Sequence, residues 1–214
     1  SFQNYNMRLG ISGSEWVGLE NYRRFFSDPY FSRDIWNTIS LSLKGIVVGF
    51  PIPIILALLI NELTNKTFTK FVQTATYIPH FISMVVICGM LKVFLAKDGV
   101  ISSMVSLFPG VSIKESLLSN ANLFATIFIG SDIWQEAAWG SIIYVAAIAG
   151  IDQQLYEASE IDGAGKFRQM LCVTLPCLAP TIIIMLILRV GAVFTTNNEK
   201  ILLLINSLNA EKAE

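Results

Sequence analysis

The residues able to do chemistry fall into two groups. The first is Asp132, Gln135, Glu136 and Trp139, spaced i, i+3, i+4 and i+7, which places them on one face of a helix. Tyr144 follows in the same apolar stretch. Two carboxylates, an amide and an indole in such a setting suit the polar wall of a substrate pathway. They equally suit a proton or sodium relay, or structural partners for basic or backbone groups of other helices. The second group is Glu157, Glu160, Asp162, Lys166 and Arg168, crowded around Gly163 and Gly165. A charged patch between two apolar runs is either a solvated turn or a docking surface.

Several chemistries are excluded. His80 is the only histidine, so a histidine metal cluster cannot form. It is expected to cap or hydrogen-bond at a helix boundary. The sequence has no G-x-S-x-G and no H-E-x-x-H. Gly163-Ala-Gly165-Lys166 lacks the upstream glycine and the hydroxyl of a phosphate-binding loop. No catalytic residue, metal ligand or cofactor is therefore assigned, and the chain is not expected to be an enzyme.

Composition sets the solvent. The chain has 214 residues, of which only 14% are charged. Soluble domains carry roughly a quarter. Mean hydropathy is +0.58, and apolar runs reach the length of about 20 residues that crosses a hydrocarbon core. The chain reads as all-α, a polytopic helical membrane protein. A net charge of −1 and the lack of a basic stripe exclude nucleic acid as a partner. Cys88, Cys172 and Cys177 lie in or beside apolar runs and read as small buried hydrophobes.

Four spans are expected, at about 39–60, 77–95, 123–150 and 173–194. Residues 1–38 are rich in Trp, Tyr and Phe and read as an interfacial segment, with a short amphipathic helix at 20–26 ended by Asp28-Pro29. Pro51 and Pro53 should kink the first span. Residues 61–76 read as a polar loop, in which Asn65-Lys66-Thr67 makes a weak match to a glycosylation acceptor. Residues 96–122 form a longer loop around Pro109 and Gly110, with room for a short interfacial helix. Arg189, in the fourth span, either snorkels to the interface or pairs with Glu136 or Asp132. The apolar run 201–205 is too short to span. Arg and Lys are balanced between the two sides, so charge alone does not orient the chain.

The charged patch has its own predicted geometry. Asp152 is placed to cap a helix bearing Leu155, Ala158 and Ile161 on one side. Gly163-Ala-Gly165 supplies a bend, because glycine adopts positive φ without penalty. A second short helix presents Phe167, Met170, Leu171 and Thr174, and Pro176 is expected to close it. Helix, elbow and helix make a rigid knob able to transmit a push.

At these residues a resemblance becomes specific. Glu157-Ala158-Ser159, then Gly163, then Val173-Thr174-Leu175-Pro176 resembles the EAA signature of the membrane subunits of bacterial ATP-binding-cassette importers. Ser and Val replace the usual Ala and Ile. Asp162-Gly163-Ala164 and Pro180 look like the sugar-importing branch. Gly18-Leu-Glu-Asn-Tyr22, Ala57-Leu-Leu-Ile-Asn61-Glu62, Tyr77-Ile-Pro79, Trp139-Gly140 and Gly150-Ile-Asp152 extend the likeness to the maltose-type permease family over nearly the whole chain. Pro51-Ile-Pro53 and Pro79-His80-Phe81-Ile82-Ser83 resemble the branch for complex oligosaccharides and polysaccharide fragments.

The resemblance implies a type I importer transmembrane domain, holding about four of the family's six core spans. The chain is then expected to be a piece lacking a span at each side. Residues 1–38 would be extracytoplasmic, 39–194 the permease domain, and 195–214 an extracytoplasmic tail. The cytoplasmic coupling helices would lie at about 152–175. Glu157, Ala158, Ser159, Asp162, Gly163, Ala164, Leu175 and Pro176 would couple to separate ATPase subunits. Asp132, Gln135, Glu136, Trp139 and Tyr144 would line the path of an oligosaccharide. A second permease subunit, an extracytoplasmic solute-binding protein and membrane lipid complete the implied partners, in a bacterial inner membrane. The rival is a secondary transporter using Asp132 and Glu136 for ion or proton coupling.

Overall fold

The computed structural model describes residues 2–107, 115–193 and 198–205. Phe108, Pro109 and Gly110, the expected span end at Phe194, and tail residues 206–214 lie outside the described residues.

The chain opens with a two-stranded antiparallel pair, β1 (Gln3–Asn4) and β2 (Glu15–Trp16), flanking a helical turn α1 (Gly10–Gly13). Phe2 stacks on Trp16 at 5.6 Å and leans on Tyr22. Tyr22 belongs to α2 (Glu20–Phe26), the short helix predicted from sequence. Phe25, Phe26 and Phe31 close edge-on around the Asp28-Pro29 turn.

The first span starts earlier than its apolar run. α3 (Phe31–Gly49) and α4 (Pro51–Asn61) join through Phe50, whose backbone stays right-handed helical (φ −66°, ψ −39°). Together they form one 31-residue helical stretch, Phe31–Asn61. Pro51 falls at the first position of α4, where its missing N–H matters least.

Residues 61–76 are not a loop. α5 (Lys66–Tyr77) starts at Asn65, whose side chain accepts from the Thr67 and Phe68 amides at 2.9 and 3.1 Å. The asparagine of the glycosylation-like tripeptide is thus a helix cap. The second expected span is also not one straight helix. α5 runs through a 3-10 turn at Ile78–Phe81, and the chain then bends by 96° into α6 (Met84–Phe94). Ile82 and Ser83 are extended at the bend, and the Ser83 hydroxyl caps the new helix through the Val86 amide.

α7 (Val100–Ser106) is the short helix anticipated in the long loop. It is tied back to α6, because Ser102 and Ser116 both donate to the Leu95 carbonyl. α8 (Ala121–Ala149) is the spine, 29 residues and about 43 Å long. Near its start Phe124 and Phe128 pack with Cys88, Leu118 and Leu204. Near its end Tyr144 and Ile148 pack with Ala57, Leu58 and Leu178. Between these two cores most of its buried residues are polar, Ser131, Gln135 and Ser141, with Ala138 among them. Gly140 lies next to α4, where a Cβ would make ordinary contact with Pro53 Cγ at 3.5 Å.

α9 (Gln153–Ile161) and α10 (Lys166–Gln169) form the predicted knob. Pro176 does not close its second helix. α10 passes through a π-helical turn at Met170–Thr174 into α11 (Leu175–Gly191), giving one 26-residue stretch, Lys166–Gly191. The proline has no N–H to donate, and a wider turn just before it accommodates that loss. Cys172 and Cys177 lie on the outer side of this stretch and are exposed, so only Cys88 of the three is buried. α12 (Asn198–Leu204) is too short to span, as expected, and packs into the core through Leu204.

By length and apolarity, Phe31–Asn61 and Lys166–Gly191 can cross a membrane, and the bent pair can supply a third crossing. α8 has the length but carries Asp132, Gln135 and Glu136 in its middle, which lowers its apolarity. Ile183, Ile184, Ile187 and Leu188 on α11 all face outward.

Candidate functional site

The polar middle of α8 borders an open cavity of about 640 Å³, walled by α3, α4, α8 and α11. Four of the five pathway residues expected from sequence reach it: Asp132, Glu136, Trp139 and Tyr144. Gln135 does not. It is buried and turned toward the bend, where its amide donates to the Ile82 carbonyl at 3.2 Å. Its Oε1 has no hydrogen-bond partner. The helical spacing that groups these residues holds, but the stripe is wide enough for its edges to meet different neighbours.

The two carboxylates are both engaged. Asp132 accepts from Lys200 Nζ at 3.2 Å, and Arg189 stands 3.8 Å from its other oxygen. Lys200 has no exposed surface. It also donates to the Phe128 carbonyl at 2.9 Å and lies 4.7 Å from the centre of that ring. A buried ammonium is costly unless paired and hydrogen-bonded, and these contacts meet that requirement. Sequence reasoning allows Arg189 either to snorkel or to pair with Asp132 or Glu136, and it misses Lys200. Lys200 sits in a short polar segment beside Glu199, and only the return of α12 to α8 reveals its place. A signal was available in the apolar run just after it, too short to span and therefore in need of another place to bury.

Glu136 meets His80, with Nδ1 to Oε2 at 3.0 Å. The same imidazole lies flat on Trp139, with centroids 4.4 Å apart and planes 3° apart. Phe81 closes edge-on against both rings. The bend after Pro79 carries these two rings to α8. His80 therefore bonds at a boundary, as predicted, and its partner is the second carboxylate of the sequence stripe. No group of metal-ligating residues occurs among the described residues. With a protein partner on each carboxylate, the ion-relay reading gains nothing from the geometry.

The knob is built from local hydrogen bonds. Asp152 caps α9 through the Gln154 amide at 2.9 Å. At the other end the Ala164 amide reaches the Ser159 carbonyl at 2.9 Å and the Gly163 amide reaches that of Glu160 at 3.0 Å. This crossed pair, around a glycine at φ +75°, is a Schellman ending. Tyr156 and Thr174 hydroxyls, 3.0 Å apart, tie the first helix to the π turn. Glu157, Ala158, Asp162, Gly163 and Pro176 are exposed; Ser159, Ala164 and Leu175 are half-buried. Ile161 and Phe167 present bare apolar surface beside them, 87% and 71% exposed. A fixed scaffold carrying carboxylates and uncovered apolar side chains is what a docking element requires.

The chain belongs to the family of binding-protein-dependent transport system inner membrane components, whose family model matches residues 49–196. It is 44% identical, over its whole length, to the polygalacturonan/rhamnogalacturonan transport system permease protein YteP of Bacillus subtilis (strain 168), covering 66% of that protein. It is 40% identical to protein LplB of the same organism, covering 67% of it. Among solved structures it resembles a bacterial ABC transporter involved in the import of the acidic polysaccharide alginate. That match has a TM-score of 0.87 at 39% identity, covering 92% of this chain and 69% of the other. The chain thus spans about two thirds of the length of the relatives it matches. The fold is that of a helical importer membrane domain.

Proposed function

We propose that this chain is the permease portion of an ATP-binding-cassette importer that carries oligosaccharides across a bacterial inner membrane. The observation that carries the proposal is the α9–α10 knob: exposed, locally rigid, and continuous through the π turn with a membrane-crossing helix. Glu157, Ala158, Ser159, Asp162, Gly163 and Ala164 form the face offered to an ATPase subunit, while Leu175 and Pro176 join that face to the span. ATP-driven closure of the ATPases then displaces the knob, and α11 moves with it as a rigid body. The oligosaccharide passes the polar wall of α8, where Asp132, Glu136, Trp139 and Tyr144 line the cavity and Gln135 braces the bend behind it. The outward apolar faces of α11 suit lipid and a second permease subunit. A solute-binding protein delivers the sugar from outside. The named substrates of the relatives, polygalacturonan/rhamnogalacturonan and alginate, support the oligosaccharide class.

The test is Gly163→Leu. Space is open around Gly163, so the penalty is confined to its left-handed backbone, about 1–2 kcal/mol at the elbow. The variant should insert normally, fail to co-purify with its ATPase and import no sugar. Normal co-purification and uptake would count against the coupling role.

A further inference from the structure

Ahead of the first span, the chain carries an exposed apolar tip on a rigid base. Met7, Leu9 and Ile11 are 88%, 58% and 75% exposed. They alternate with Arg8, Gly10 and Ser12, and Arg8 is the single charged residue between Asn6 and Gly13. The base is held from within. The Asn6 carbonyl accepts from the Leu9 and Gly10 amides at 3.0 and 3.1 Å, and its side chain accepts from the Arg8 amide at 3.0 Å. Ser14, which is buried, accepts from the Asn6 amide at 3.0 Å and donates to the Gly10 carbonyl. Gly10 turns the chain at φ +66°. Behind the tip, the β1–β2 pair and the Phe2–Trp16 stack hold the two strands together. Asn21 donates to the Gln3 carbonyl at 3.2 Å and so ties them to α2.

This small unit is tethered close to the membrane. Only Ser27 to Tyr30 separate α2 from α3, which keeps the two helices within about 18 Å of each other. Phe26, Tyr30 and Trp36 are exposed around that junction, and Tyr and Trp are the rings that sit at headgroup level.

We infer that the Met7–Ile11 tip inserts into the lipid layer beside the first span, with its three apolar side chains among the upper acyl chains and Arg8 at the lipid phosphates. The inference goes beyond the importer reading and needs only that Phe31–Asn61 crosses the membrane. It also goes beyond the aromatic girdle, because it assigns the insertion to one prefolded tip. Two observations favour lipid over a protein partner. The amides of Asn6, Arg8, Leu9 and Gly10 already have partners inside the chain, so entry into an apolar layer strands none of them. Between Met7 and Ile11 the tip has no polar side chain other than Arg8 with which to specify a protein surface. An arginine is compatible with insertion, since its stem lies along apolar surface while its guanidinium reaches a phosphate.

The test places the full chain, with its partner subunits, in nanodiscs of phosphatidylethanolamine and phosphatidylglycerol. Cys172→Ser and Cys177→Ser remove the exposed thiols of this chain, and those of the other subunits are removed likewise. A fluorophore is then attached at Ile11→Cys. Lipids carrying a nitroxide on the upper acyl chain should quench it about two-fold or more, and aqueous iodide should reach it poorly. Met7→Asp with Leu9→Asp, both at exposed positions, should remove the lipid quenching. Arg8→Glu should weaken it. Iodide quenching without lipid quenching would overturn the inference. Shielding that appears only on addition of the solute-binding protein would give the tip to that protein and overturn it too. Unchanged lipid quenching in the double aspartate variant would take the insertion away from this tip, and unchanged quenching in Arg8→Glu would remove Arg8 from the phosphates. A membrane protein that imports nothing would give the same quenching, so the importer reading and this inference fail separately.

Discussion

Lys200 and Asp132 lie 68 residues apart in sequence, yet the ammonium and the carboxylate meet at 3.2 Å. The lysine is sealed from solvent, while the carboxylate borders a cavity. The pair fastens a seven-residue helix to the spine of the fold at the point where its apolar packing gives way to polar residues.

Lys200→Met should therefore loosen α12. Removing one partner of a buried ion pair costs about 3–5 kcal/mol, and Arg189 nearby should hold the loss to the lower end. The expected result is a clear drop in thermal midpoint of the detergent-solubilised protein. Adding Asp132→Asn should destabilise by less than the sum of the two single changes, because the groups are coupled. Strict additivity in a double-mutant cycle would show that the pair contributes nothing.

His80→Ala should strip the cover from one face of Trp139. The stack contributes about 0.5–1.5 kcal/mol. Tryptophan emission should shift to the red and become more open to acrylamide quenching. His80→Phe keeps a ring at that place and should restore the emission without restoring the contact to Glu136. An unchanged spectrum in the alanine variant would mean that the rings do not stack in the membrane.

Tyr156→Phe should free α9 from the π turn. The lost hydroxyl contact is worth about 0.5–1.5 kcal/mol, and Thr174 is left with a buried, unpaired hydroxyl. Amide exchange in α9 should speed up while that in α8 stays fixed. Thr174→Val added to the tyrosine change removes both partners and should recover part of the loss.

Local chemistry made the knob legible in the sequence. Asp152 as a cap and Gly163 as an elbow depend on neighbours only a few residues away, and both stand where their types predict. The resemblance to importer permeases rests on the same residues, and the family match agrees with it. What failed were readings in which one residue type has two outcomes. Pro176 stops a helix in most settings, but here a π turn upstream lets the helix continue. Asn65 falls in a stretch whose polarity reads as a loop, but asparagine also caps helices, and here its side chain starts α5. The bend at Ile82 and Ser83 fell inside a run read by apolarity alone, although Ser83 ahead of that run was a capping signal. The polar wall was half legible. Its helical face followed from spacing, whereas its partners His80 and Lys200 come from distant elements that no local pattern encodes.

The π turn gives the molecule a mechanical property. Because α10 and α11 are continuous through the π turn, with Pro180 inside α11, Arg189 sits at the far end of a helical stretch whose near end is the knob. Twenty-three residues separate Lys166 from Arg189 in the numbering, roughly 35 Å of helix. A tilt of about 10° at the base would swing the guanidinium by roughly 6 Å, about the rise of one helical turn. A hinge at Pro176 would have absorbed that stroke. The wider turn instead keeps the helix continuous past that proline, so a displacement of α10 would be carried toward the cavity wall.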